Sequence, residues 1–243
     1  MRKKQFNAVK QFEIIRKCNL DCEFCYNKEE RKKWKEKLDL EFIVNKASND
    51  VVFIGGGEPL LYERIEELIE KLINKNCYVV LSTNGTIYKK FNELKNNDRF
   101  QLQVSLPAID EKLYREITKG SIDVVLKNIK RWKDNGYMLI NMPVYENNFD
   151  EIEKIADFCR AYDLWLRIRP IINANGFSVD ENFKRKLRSK VLSLKIEKWH
   201  KIVYNSNSNG NREGIKRYLE CYIPNKRDVY PFYPFDSTIK KKI

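Results

Sequence analysis

Short apolar segments alternate with amphipathic ones along most of this chain, and that alternation limits the folds open to it. Residues 12–15, 51–54, 77–81, 101–106, 137–144 and 164–168 read as strands. Between them, residues 40–47 and 149–162 read as helices. Leu61, Ile65, Leu68, Ile69 and Leu72 share one helical face, as do Ile122, Val125, Ile129 and Trp132 ahead of the stop at Asn135-Gly136. Strands separated by helices of this length predict an α/β fold with a parallel sheet. In such folds chemistry collects at the carboxyl ends of the strands. Four polar or glycine-rich segments fall there. They are a cysteine loop after the first strand, Gly55-Gly56-Gly57-Glu58-Pro59 after the second, Ser82-Thr83-Asn84-Gly85 after the third, and Ser105 closing the fourth.

The cysteine loop carries Cys18, Cys22 and Cys25 in a C-x3-C-x2-C array. Iron–sulfur clusters take about one thiolate per iron, so three cysteines hold three irons of a [4Fe–4S] cluster and leave the fourth iron open for a ligand. A structural zinc site needs four closed ligands, and the chain offers His200 as its single histidine and no second cysteine pair. Disulfides fit poorly with a long chain that opens on charged residues and has no apolar signal-peptide region. A reducing, cytoplasmic setting follows, with no membrane span. Cys77 and Cys159 read as buried core thiols.

Together, the cysteine loop and Gly56-Gly57-Glu58-Pro59 resemble the motifs of the radical S-adenosylmethionine (SAM) superfamily, over roughly residues 6–172. The resemblance implies a partial (β/α)6 barrel, a partial TIM barrel, as the core at residues 1–172. It assigns Cys18, Cys22 and Cys25 to one [4Fe–4S] cluster and the methionyl amine and carboxylate of SAM to the open iron. Phe24 and Tyr26 are then expected to flank the adenine. The backbone of Gly56 and Gly57 is expected to bind the methionyl ammonium, because glycine permits close approach. Glu58 adds negative charge there, and Pro59 suits the first turn of a helix. Ser105 is expected at the SAM ribose or carboxylate. Arg115 resembles the arginine that pairs with that carboxylate through its bidentate fork. Asn84, Asn141 and Arg169 are expected to face the cavity. The implied reaction is reductive cleavage of SAM to a 5′-deoxyadenosyl radical, which takes a hydrogen atom from a substrate. An external one-electron donor of the flavodoxin or ferredoxin kind is implied.

Finer features narrow the resemblance. Cys25-Tyr26-Asn27, Ser105-Leu106 and Asn141-Met142-Pro143-Val144 with Asn148 look like the branch of molybdenum-cofactor enzyme A, sulfatase-maturating and peptide-maturing enzymes. Glycyl-radical activating enzymes carry Asp-x-Lys where this chain has Ser105-Leu106-Pro107. The deazaguanine-pathway enzyme has Cys-Asp-Thr where this chain has Cys25-Tyr26-Asn27. Residues 173–243 read as a helical and aromatic-rich extension capping the barrel: a charged helix at 179–194, a linker at 205–211, a short helix at 213–219 and an aromatic tail. Cys221 is the only cysteine in that extension, so one cluster is expected. No N-terminal leader-peptide domain is expected.

The formal charge of +13 over 243 residues reads chiefly as solvated helix faces; basic runs lie at 2–4, 31–33, 184–188 and 240–242. A peptide or protein is the leading substrate, a small molecule such as a nucleotide the second and RNA, resting on charge, the third. The reading from another class is a non-catalytic iron–sulfur or zinc-binding protein.

Overall fold

The computed structural model describes residues 6–33, 37–91, 94, 97–133, 137–171, 179–196, 202–204, 219–223 and 226–231. Its centre is a run of parallel strands in chain order: β1 (Val9–Ile15), β2 (Val51–Gly56), β3 (Tyr78–Thr83), β4 (Phe100–Ser105), β5 (Tyr137–Val144) and β6 (Trp165–Pro170). Each expected strand is present. β1 begins earlier than its apolar run, because Val9, Lys10 and Gln11 pair with Val51, Val52 and Phe53 of β2. The parallel α/β sheet expected from the alternation, and the partial barrel implied by the resemblance, are the architecture observed.

Helices α1 (Lys28–Lys33), α2 (Leu40–Lys46), α3 (Ile65–Asn74), α4 (Glu111–Thr118), α5 (Ile122–Trp132), α6 (Glu151–Ala161) and α7 (Glu181–Ile196) fill the connections. In α3, Ile65, Leu68, Ile69 and Leu72 are fully buried, each worth about 1.5–3 kcal/mol of apolar burial. Leu61 lies outside α3, in a 3-10 turn (Pro59–Leu61). Pro59 sets that turn, and the Glu58 side chain caps it by accepting from Leu60 N at 3.0 Å. Trp132 closes α5 against the sheet, 2% exposed, and donates its indole N–H to Lys89 O at 2.8 Å.

Beyond the six-stranded core the sheet continues at both edges. β7 (Ile202–Tyr204) lies parallel to β6, β8 (Leu219–Ile223) parallel to β1, and β9 (Lys226–Pro231) antiparallel to β8. The short helix expected at 213–219 falls outside the described residues up to 218, and Leu219 opens a strand. Part of the aromatic tail is therefore strand on the β1 edge. The expected linker at 205–211 and His200 also lie outside the described residues. No described helix is long and apolar enough to cross a membrane.

The ends of β1 and β2 meet at van der Waals limits. A Cβ on Gly57 would stand 2.2 Å from Lys17 O and 2.5 Å from Arg16 O, whereas one on Gly55 would meet nothing within 4 Å. The crowding atoms are backbone, so they cannot swing aside. Gly57→Ala is expected to cost about 1–3 kcal/mol of overpacking and to displace the cysteine loop, while Gly55→Ala stays within about 0.5 kcal/mol of wild type. Thermal unfolding of the two variants side by side checks this.

Candidate functional site

The strand ends enclose a cavity of about 310 Å³. Cys18, Cys22 and Cys25 line it together with Phe24, Tyr26, Gly56, Gly57, Asn84, Ser105, Asn141 and Arg169. Most of the residues read from the sequence are therefore brought into one site, although they come from six strands or the loops that follow them.

The cysteine loop is pinned from three directions. On the β2 side, Gly57 N donates to Ile15 O at 2.6 Å and Glu58 N to Lys17 O at 2.8 Å. On the α4 side, Asp21 N donates to Thr118 O at 3.1 Å and Glu23 N to Ile117 O at 2.9 Å. These are carbonyls of the last turn of α4, which have no partner within the helix. From the β3 end, Asn84 Nδ2 donates to Asn19 Oδ1 at 2.9 Å and to Cys18 Sγ at 3.7 Å. Arg31 on α1 closes the loop by donating to Leu20 O at 2.6 Å and Asp21 Oδ1 at 2.9 Å.

The aromatic residues of the loop are held from behind. Tyr26 is 45% exposed, and its hydroxyl donates to the buried Glu13 at 2.6 Å; Asn27 donates to the same carboxylate at 3.3 Å. Phe24 packs edge-on against Tyr145, with centroids 5.9 Å apart. The Tyr145 hydroxyl donates to Glu23 of the loop. Burial and that carboxylate push the Tyr145 phenol well above its usual range. Asn148 proves structural. It is fully buried and donates to Pro107 O and Pro143 O, each at 2.8 Å, joining the ends of β4 and β5.

Three expectations change. Arg115 does not reach the cavity. Tyr114, Ile117 and Thr118 form the buried face of α4, and the intervening Arg115 points outward, 66% exposed, into an ion pair with Glu111. Tyr114 and Thr118 line the cavity in its place. Glu58 is not on the wall either. It is fully buried beneath the turn and accepts from Thr83 Oγ1 at 2.7 Å and Asn84 N at 2.7 Å besides Leu60 N. Its carboxyl oxygens, accepting all three bonds, tie the β2 and β3 ends together. Pro59 is buried in the 3-10 turn. Gly56 and Gly57 border the cavity as Gly55 does, and they also approach protein backbone, Ile15 O and Lys17 O being their crowded neighbours.

Other cavity residues were not singled out as site residues in the sequence: Gln11, Gln103, Tyr114, Thr118, Arg31 and Arg167. The available signal was period two. Gln103 stands two residues before Ser105 and Arg167 two before Arg169, hence on the same strand faces.

The donor set fits a thiolate-held cluster. All three thiols are half-buried at one cavity. Burial pushes the Cys22 thiol up to about 12, with Cys25 and Cys18 adding to the rise, and burial also raises Cys25. Thiolates that oppose one another's ionisation share a need for a cation, and a metal that binds them displaces their protons. Among the described residues no three or more Cys, His, Asp or Glu side chains are grouped around one metal-ion position; a cluster asks instead for one thiolate at each of several irons.

A parallel α/β sheet that gathers three thiols at the end of its first strand defines a protein built around a thiolate-held metal cofactor. The chain belongs to the radical SAM superfamily, whose family model matches residues 12–159. Enzymes of that superfamily work with a [4Fe–4S] cluster and SAM. The chain is 30% identical over 190 residues to a probable GTP 3′,8-cyclase of Methanococcus aeolicus, covering 71% of this chain and 60% of that protein. It is 31% identical over 196 residues to a putative glycyl-radical enzyme activating enzyme of Methanocaldococcus jannaschii, covering 73% and 74%. Its fold is similar to that of Streptococcus suis SuiB bound to SAM, with a TM-score of 0.76, 18% identity, and 98% of this chain and 63% of that chain covered. The chain thus spans about three fifths of the length of the cyclase and of SuiB.

The Glu58 carboxyl sets a pH dependence. Burial raises it above its ordinary 4.5, opposed by its three donors. A carboxyl raised on folding binds its proton more tightly in the native state, so its contribution is full below about 4.5 and declines as pH rises through the folded value. Unfolding free energy measured from pH 4 to 7 is expected to fall with pH more steeply in wild type than in Glu58→Gln.

Proposed function

We propose that this chain reductively cleaves SAM at one [4Fe–4S] cluster held by Cys18, Cys22 and Cys25, and uses the product to take a hydrogen atom from a substrate. The observation that carries this reading is the convergence of the three thiols with the Gly55–57 turn and Asn84 on one cavity. When bound, the cluster and SAM supply the electron transfer and the 5′-deoxyadenosyl radical.

The chain's own residues bind, orient and exclude water. The Gly55–57 backbone and Ser105 stand where polar groups of SAM are expected, and Asn84 joins the β3 end to the cysteine loop. Tyr26 and Phe24 supply flat walls for a base. Leu20, Phe53, Ile54 and Ile171 give the cavity apolar surface that excludes water. The electron comes from outside, from a flavodoxin- or ferredoxin-like donor. Residues 1–172 serve as the core and residues 173–243 as an extension, whose described strands add to both edges of the core sheet.

A peptide or protein is the proposed substrate. In support, the M. jannaschii relative is by name an activating enzyme for another enzyme. The SuiB fold has also been seen with a precursor peptide, at a TM-score of 0.70. A nucleotide is the second reading, supported by the 30% identity to a GTP 3′,8-cyclase.

Anaerobically reconstituted protein given SAM and dithionite is expected to release 5′-deoxyadenosine. The Cys18→Ala/Cys22→Ala/Cys25→Ala variant is expected to release none and to lack the cluster's visible absorbance. Equal product from both proteins would remove these cysteines from the chemistry.

A further inference from the structure

The wall of the cavity opposite the cysteine loop in sheet order is built from β4, β5 and β6. Register places Ser105, Asn141 and Arg167 side by side across these three strands, with Arg169 one pleat further toward the carboxyl end. All four line the cavity. Arg167 donates to Gln103 Oε1 at 2.8 Å, and its Nε–H has no partner among the described residues. Asn141 is 8% exposed, and its Oδ1 likewise lacks a partner among the described residues. Two guanidinium groups on one strand face repel, and both are largely desolvated. Burial and the Arg167 charge together bring Arg169 down to about 10, and burial lowers Arg167. No described residue lining the cavity is a carboxylate. The cysteine loop has its own guanidinium, Arg31, engaged by Leu20 and Asp21.

We infer that Arg167 and Arg169 form an anion-binding subsite for the substrate, resting on the radical reading above: they take a carboxylate or phosphate group, while Asn141 Oδ1 accepts an N–H or O–H from the same molecule. Forked guanidinium donors match either anion. A largely buried site strengthens the pairing and leaves an unmatched polar group costly. The substrate therefore couples a negative group to a hydrogen-bond donor. An acidic peptide has both, as does a nucleotide.

The test uses the full chain, anaerobically reconstituted and saturated with SAM. GTP and triglutamate are titrated separately by calorimetry into wild type, Arg167→Gln/Arg169→Gln and Arg169→Lys. At least one probe is expected to bind wild type and to weaken roughly 10- to 100-fold in the double variant, with Arg169→Lys between them. Binding of GTP alone assigns a phosphate, and binding of triglutamate alone a carboxylate. Equal affinity in wild type and double variant, or no binding of either probe, overturns the subsite. So does a double variant that loses affinity for SAM, since the arginines would then hold the carboxylate of SAM. Arginine-dependent probe binding by a wild-type chain that takes up no cluster would sink the radical reading and leave the subsite standing.

Discussion

The close approach of the β2 turn to the end of β1 is the constraint from which the rest of the site follows. Gly57 fits because it has no Cβ to meet Lys17 O, and its N–H together with that of Glu58 fixes the first residues of the cysteine loop. The last turn of α4 then holds the middle of the loop, and Asn84 holds Cys18. Each hydrogen bond contributes about 0.5–1.5 kcal/mol to stability, but their joint effect is order. Three thiols on a free loop would have to be gathered at the cost of chain entropy whenever a cofactor bound. Here that cost is met by folding. Buried Glu58 extends the bracket, linking the 3-10 turn after β2 to Thr83 and Asn84 at the end of β3.

The cavity is electrically divided. On the cysteine side, bound metal would draw three thiols into the thiolate form against the mutual opposition that burial sharpens. On the β4–β6 side, two guanidinium groups stand at one strand face with no lining carboxylate among the described residues. In a partly desolvated space such charges act more strongly than in bulk water. The division orients an anionic reactant toward β6 and leaves the β1–β3 ends for the cofactor.

The strands were legible wherever an apolar run stopped at glycine, proline or asparagine, as at Ile54 and Leu106. The strand-end placement of the cysteines followed from the same pattern. What escaped had weaker local signals. The first half of β1 mixes Lys10 and Gln11 into a strand that only pairing with β2 reveals. Helix α4, eight residues long, shows its inward face through Tyr114, Ile117 and Thr118, and without that face Arg115 looked like a ligand. Arg167 and Gln103 gained meaning only from cross-strand register, which no single segment encodes. Leu219–Ile223 became a strand because β1 offered an edge, a tertiary effect that overrides weak local preference.

The most direct test of the central claim is electron paramagnetic resonance of the dithionite-reduced, reconstituted chain, recorded without and then with SAM carrying nitrogen-15 in its methionyl amine. A cluster with one iron open to SAM predicts that the signal shifts on addition and acquires coupling to the labelled nitrogen. A cluster signal unchanged by saturating SAM, with no coupling to the label, would contradict the account.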